Sequence, residues 1–176
     1  MPEPTGTNQL YQAGFTKVPV GDHRTHFVFA VMDCFSRYLL ALRVSAAATP
    51  QDLIGGLDAA LHEARKMSDL HGDQVTTLVT DSGPTFTAPD FLSYLSRTPF
   101  RHVPSTGRPF QSLGMIRRVF WTLRDEEIET THYRDPVEAQ LSMNRFRHIY
   151  NFERPHQALG YRFPGDLFCR QSGASA

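Results

Sequence analysis

Carboxylates and arginines are the side chains of this sequence that could do chemistry on phosphate groups. Asp81 directly follows a short apolar run and precedes a Ser-Gly-Pro turn, where a strand would place a carboxylate at the edge of a sheet. Arg117, Trp121 and Arg124 follow one another at the helical spacing i, i+4 and i+7, and Arg118 stands beside that line. Such a helix face could bind phosphates through its guanidinium groups and stack a base on its indole ring.

The same helix allows a second arrangement, in which Trp121 packs at the edge of the core and the arginines pair with Asp125 and Glu126. These two acids and Glu127 lie roughly 12–15 Å beyond Arg117 along a helix that rises 1.5 Å per residue. We therefore expect the three acids to form a solvated face, too far from the start of the helix to join a metal site there.

Charge is distributed unevenly along the chain. The 18 basic and 18 acidic side chains give a net charge of zero. Residues 1–90 contain 6 basic and 10 acidic side chains, whereas residues 91–176 contain 12 and 8, so the two parts carry −4 and +4. All but two of the basic residues are arginines. This bias is typical of a phosphate-binding surface, although a genome that favours arginine codons would produce it as well.

Composition predicts one globular domain, with 40% hydrophobic and 20% charged residues among 176. No apolar run approaches the ~18 residues of a membrane span, and the N-terminus lacks a secretory signal pattern, so we expect a cytoplasmic protein. Cys34 and Cys169 are too few for a disulfide scaffold or a four-ligand zinc site. We expect flexible ends at residues 1–8 and 169–176 around a domain of residues 9–168.

Hydrophobic periodicity predicts the elements that must position these side chains. Three strands that could form an antiparallel meander precede a helix capped by Thr49, a strand, a short helix, a fifth strand and two further helices. The expected strands cover residues 15–20, 27–32, 38–44, 75–80 and 100–103, and the expected helices begin at residues 50, 91, 113 and 136. This order predicts an α/β fold of ribonuclease-H-like architecture, a mixed five-stranded sheet flanked by helices, although other α/β sandwiches satisfy it too.

Four segments, taken in order, resemble the catalytic core of retroviral-type integrases and of the related bacterial insertion-sequence transposases in the DDE superfamily. Residues 31–37 are similar to the strand-end pattern D-x-x-S-R, and residues 80–86 to the pattern D-N-G-x-x-F. Residues 108–124 are similar to the loop and helix that carry the glutamate of that family. Residues 150–161, YNFERPHQALGY, are nearly the C-terminal signature of the bacterial transposases.

The resemblance implies a two-metal enzyme that needs three acids, and this chain retains one of them. Asp81 occupies the position of the second acid. Gly14 stands where the pattern W-x-x-D-x-T has its aspartate, and Arg117 stands where N-G-x-I-E-R has its glutamate. A guanidinium group cannot ligate a cation and stays protonated, so we expect no metal cofactor and no strand transfer. Arg117 could instead form an ion pair with Asp81.

The resemblance also implies which functions a core without catalysis could retain. These are binding of nucleic acid and assembly with other transposition proteins. DNA contacts are expected from the helix bearing the arginines and from the loop before it: Arg108, Arg117, Arg118, Trp121 and Arg124. Family cores pair into homodimers, so a second copy is an expected partner.

Two alternatives stay open. One is a protein-interaction module that does not bind DNA. The other is an active DNA strand-transferase that uses magnesium or manganese through relocated acids. Asp33 is a candidate for such an acid, but it is better explained as a turn acceptor for Ser36 and Arg37. The histidine of the C-terminal signature, His156, is expected to stabilise the fold of that segment.

Overall fold

The computed structural model describes residues 3–22, 24–70, 74–105 and 113–169. Five strands form one sheet in the order β3-β2-β1-β4-β5. The first three strands pair antiparallel, and β4 and β5 run parallel to β1. The meander and the mixed sheet expected from the sequence are confirmed. The strands are β1 (Leu10–Val20), β2 (Arg24–Asp33), β3 (Leu39–Ser45), β4 (Thr76–Thr80) and β5 (Phe100–Pro104).

Within the described ranges, five α-helices flank the sheet: α1 (Pro50–Met67), α2 (Pro89–Leu95), α3 (Gly114–Leu123), α4 (Pro136–Phe152) and α5 (Pro164–Phe168). Helix α1 begins as predicted, because Thr49 and Asp52 form a reciprocal cap. The Thr49 Oγ1 atom accepts from the Asp52 backbone N–H at 3.2 Å, and the Thr49 N–H donates to Asp52 Oδ2 at 3.0 Å. Among the described residues, no helix is long and apolar enough to cross a membrane.

Each face of the sheet covers its own hydrophobic core. Alternate residues of β1 point to opposite faces, so Tyr11 and Ala13 pack with α1 and α2, whereas Leu10 and Val18 pack with α3 and α4. Gly14 shares the second of these faces by the same alternation. The face that carries α3 is therefore the face on which the candidate site lies.

Two predicted boundaries differ from the structure by about five residues, and the others by three or fewer. Strand β1 begins at Leu10, not near residue 15. The sequence did not indicate this start, because the first five residues of the strand are all buried and show no alternation of polar and apolar side chains. The helix expected over residues 113–128 is α-helical only to Leu123. A single π-helical turn, Arg124–Ile128, follows it, closed by the Glu129 N–H donating to the Arg124 carbonyl at 2.9 Å.

Two adjacent glycines of α1 have opposite surroundings. A Cβ atom on Gly56 would lie 2.1 Å from a ring carbon of Phe29, whose side chain is fully buried, whereas a Cβ on Gly55 would meet nothing within 4 Å. We expect Gly56→Ala to lower the free energy of unfolding by about 1–3 kcal/mol through overpacking. Gly55→Ala should raise it by about 0.5–1 kcal/mol because alanine favours the helix. Urea unfolding of both variants measures the difference, and equal shifts would contradict this packing.

Helix α4 covers the outer edge of β3, the edge strand of the sheet. The Gln140 side chain accepts from the Val44 N–H at 2.8 Å and donates to the Leu42 carbonyl at 3.0 Å. Asn151 makes the corresponding pair of bonds to the backbone of Leu39, at 2.8 and 3.0 Å. Polar groups that an edge strand would otherwise leave unpaired are thus satisfied by side chains of a helix.

Candidate functional site

Gly14 of β1 and Asp81 both follow the stretch over which two neighbouring strands pair. Strands β1 and β4 are parallel, and their last pair is Gln12 with Val79. Continued for two residues beyond that pair, this register aligns Gly14 with Asp81, the residue directly after β4. The Asp81 side chain is half-buried, and its Oδ1 atom accepts from the Gly83 N–H at 2.7 Å. The carboxylate therefore supports the sharp turn that follows the strand.

The first two turns of α3 dock on β1 beside Gly14. The Ile116 N–H donates to Gln12 Oε1 at 2.9 Å, and a Cβ atom on Gly14 would lie 3.4 Å from the Phe120 ring. Arg117 follows Ile116 and precedes Phe120 by three residues, so it lies on the flank of α3 next to these contacts. Its side chain is half-buried and the Nη1 atom is shielded from solvent. The ion pair between Arg117 and Asp81 stays a prediction.

These residues do not fit a pair of divalent cations. Magnesium takes oxygen ligands, and Gly14 has no side chain to offer one. The Phe120 ring packs over Gly14, and Arg117 brings a permanent positive charge. Within the described ranges, no three or more His, Cys, Asp or Glu side chains are grouped so that they could hold a metal ion.

Asp33 is built into a turn. Its side chain is fully buried, accepting from the Ser36 N–H at 2.8 Å, the Ser36 hydroxyl at 2.6 Å and the Asn8 N–H at 2.9 Å. Burial raises the pKa of Asp33, and these hydrogen bonds oppose the rise. It pairs with Tyr11, three residues and so about 10 Å along β1 from Gly14. The predicted turn-acceptor role is confirmed for Ser36.

The three acids after α3 are only partly solvated. Asp125 is exposed, and Glu126 forms an ion pair with Arg154 of the C-terminal segment. Glu127 is half-buried and accepts a hydrogen bond from the Tyr133 hydroxyl at 3.0 Å. The prediction of a solvated face was therefore wrong for Glu127, because Tyr133, six residues further along the chain and buried in the same core as α3, binds its carboxylate.

The helix face that carries the arginines is open. The Trp121 side chain is 65% exposed, so the alternative in which it packs at the edge of the core is wrong. With 100° between successive residues, Trp121 lies opposite the buried stripe of α3, with Arg117 and Arg124 on one flank and Arg118 on the other. Arg118 and Arg124 are exposed. We call these four residues the α3 arginine surface. Arg108 lies outside the described residues.

His156 is held within the C-terminal segment, as the sequence predicted. Its Nε2 atom lies 3.1 Å from the Tyr150 carbonyl, its ring packs edge-on against the Tyr150 ring, and its backbone bridges to Arg162. Burial lowers the pKa of His156, and the charges of Arg154 and Arg37 lower it further.

Comparison with protein families identifies one family over most of the chain. A family model described as an integrase core domain matches residues 4–110, and a second model with the same description matches residues 101–164. The two matches together reach from before β1 to the start of α5.

Solved structures with this fold include two integrase catalytic core domains and a chain of an intasome complex. The catalytic core domain of HTLV-2 integrase, in complex with magnesium, superimposes with a TM-score of 0.68 at 13% identity, covering 93% of this chain and 98% of that one. A chain of the simian T-cell lymphotropic virus intasome, in complex with PP2A regulatory subunit B56 gamma, gives 0.72 at 13% identity and covers all of this chain and 59% of that one. The catalytic core domain of BIV integrase gives 0.61 at 17% identity, covering 92% and 93%. The fold is thereby ribonuclease-H-like, as expected.

Proposed function

The chain belongs to the integrase core domain family, and from this premise we propose that it is a degenerate core that binds nucleic acid without two-metal catalysis. The observation that carries the proposal is the docking of α3 on β1 beside Gly14, through Ile116 and Phe120, with the arginines of α3 next to these contacts.

Loss of catalysis is supported by charge and by packing. Two divalent cations need several carboxylate oxygens between them, and of the three acids that the family motifs carry this sequence retains Asp81. Arg117 adds a positive charge that repels cations at any pH at which the protein is folded. The Phe120 ring packs against the backbone where the family carries its first acid.

Retention of nucleic-acid binding is supported by the α3 arginine surface. Three arginines and an exposed indole ring occupy the outer half of one helix. Guanidinium groups bind phosphates through paired donors, and an exposed indole provides a flat face for a base. The positive charge of Arg117, which disfavours a metal ion, therefore favours binding of a phosphate group.

The experiment is a titration of a short fluorescent single-stranded DNA at several salt concentrations. With two to three phosphate contacts, we expect log K to fall with log[salt] at a slope of about −2. Arg124→Ala should reduce the magnitude of this slope by about 1, and Trp121→Ala should weaken binding by roughly 5- to 100-fold through lost stacking. The matched control is Arg97→Ala, which removes an exposed arginine beyond α2, on the other side of the sheet. We expect it to change neither quantity.

Absence of binding at low salt would contradict the proposal and favour a protein-interaction module. Exposed apolar side chains on α4 give that alternative a specific surface, since Val137 and Leu141 lie one turn apart on one line of the helix. Sedimentation of the same samples would then reveal a homodimer. Nicking or strand transfer with manganese, lost in Asp81→Ala, would instead favour an enzyme with relocated acids.

A further inference from the structure

A cleft of about 320 Å³ opens on the Arg118 flank of α3, away from Arg117. Side chains of the sheet, of α3 and of the C-terminal segment line it: Gln12, Arg37, Met115, Arg118, Tyr150 and His156. None of the described residues that line this cleft is acidic. The α3 arginine surface is therefore continued, around the side of the helix, by a concave site that contains a further arginine. We call it the Arg37 cleft.

Arg37 is held in place by the turn that follows β2. Its backbone adopts the left-handed conformation, with a φ of 66°, directly after Ser36 and the buried Asp33 to which Ser36 is hydrogen-bonded. Its side chain is half-buried and donates to the Sδ atom of Met115 at the start of α3. The D-x-x-S-R pattern thus acts as a rigid turn that directs an arginine toward α3. Such a pre-positioned guanidinium loses little freedom when it binds an anion.

The electrostatic environment of the Arg37 cleft is positive. Burial raises the pKa of Tyr150 to about 12, while the charges of Arg37, Arg154 and Arg118 act to lower it. All three arginines therefore lie close enough to influence this phenol. Arg154 is compensated by its ion pair with Glu126, so Arg37 and Arg118 are the cations of the cleft that an anion would meet.

We propose that the Arg37 cleft binds a phosphate group, supplied by a nucleic-acid strand that continues across α3 from Trp121. Arg37 and Arg118 donate to the phosphate oxygens, and the Met115 and Tyr150 side chains contact the attached sugar. This proposal rests on the proposed function for the source of the phosphate, while a free phosphate ion would satisfy the same donors. The volume is sufficient for a phosphate with its sugar, since small-molecule sites begin near 300 Å³.

The test uses methyl NMR of the methionine-labelled protein, first with inorganic phosphate and then with a short single-stranded DNA. Met32 and Met115 line the cleft, whereas Met67 and Met143 do not and serve as internal controls. Met67 packs against the core on the other face of the sheet, and Met143 is buried on α4. We expect both probes to shift the resonances of Met32 and Met115 only. Arg118→Ala should weaken the response to phosphate at least tenfold, and Arg37→Gln should do the same. Arg145→Ala, which removes an exposed arginine of α4 outside the cleft, should have no effect.

The outcomes separate this proposal from the proposed function. Binding of DNA without shifts at Met32 and Met115 would overturn the cleft and leave nucleic-acid binding intact. Shifts with inorganic phosphate and none with DNA would support a phosphate site and overturn the nucleic-acid source. Equal weakening by Arg118→Ala and Arg145→Ala would show that only net charge matters, which would also overturn the cleft. Arg118 is on the surface, so its variant tests the site even if Arg37→Gln fails to fold.

Discussion

Asn151→Leu is expected to lower the free energy of unfolding by about 3 kcal/mol, since it leaves two buried backbone groups without a partner. The Asn151 side chain is 1% exposed, and its amide accepts from the N–H of Leu39 and donates to the carbonyl of the same residue. Leucine has a similar volume but can make neither bond. A loss of this size is a large share of the 5–15 kcal/mol that stabilises a typical domain.

Urea unfolding followed by circular dichroism measures this loss. The control is Asn144→Leu in the same helix, whose exposed side chain accepts one hydrogen bond, from Gln140. It should change stability by less than about 0.5 kcal/mol, as most surface substitutions do. If the two variants unfolded at the same urea concentration, the role of Asn151 at the edge of β3 would be refuted.

The second large effect is expected from restoring the missing acids. In the double variant Gly14→Asp with Arg117→Glu, the affinity for manganese should rise at least about 100-fold over the unmodified chain. Near a protein surface, each unit charge at 4 Å contributes about 4 kcal/mol, and the two changes alter the local charge by three units. Isothermal titration calorimetry measures the affinity, and the uncharged pair Gly14→Asn with Arg117→Gln is the matched control.

Two further results would test the proposed loss of the metal site. Adding Asp81→Asn to the double variant should abolish the gain, because all three carboxylates must act together. Tight binding of magnesium or manganese by the unmodified chain, abolished by Asp81→Asn, would contradict the view that Arg117 excludes cations. The Gly14→Asp substitution leaves little space, because a Cβ atom at position 14 would lie 3.4 Å from the Phe120 ring. The double variant with Phe120→Ala therefore separates a steric failure from an electrostatic one.

Much of the fold was predictable from local signals. The capping pair Thr49 and Asp52, the apolar runs of the inner strands and the acid that follows β4 all depend on neighbours within a few residues. The proposed loss of acids at Gly14 and Arg117 also depends on the sequence alone, as departures from ordered motifs, and it stays a prediction. The start of β1 was missed because a strand buried on both faces carries no alternating pattern.

Other features depended on residues far apart in the chain. The exposure of Trp121 was undecided in the sequence, since helical spacing gives the same line whether the indole faces the core or the solvent. Arg37 was interpreted only as part of a turn, and its approach to Met115 spans 78 residues. The role of Asn151 spans 112 residues to Leu39, and no local pattern encodes such a contact.

The sequence alone thus determined the order of the elements and the family motifs, and it led to the prediction that Gly14 and Arg117 replace two acids, because each depends on residue type and spacing. Only the tertiary structure decided which charged groups share a surface. The packing of α3 on β1 through Gln12 exposes Trp121, and the turn at Asp33 brings Arg37 beside Arg118. A net charge of zero is therefore compatible with a positive surface around α3, because electrostatic interactions depend on the distances between charges in the folded protein.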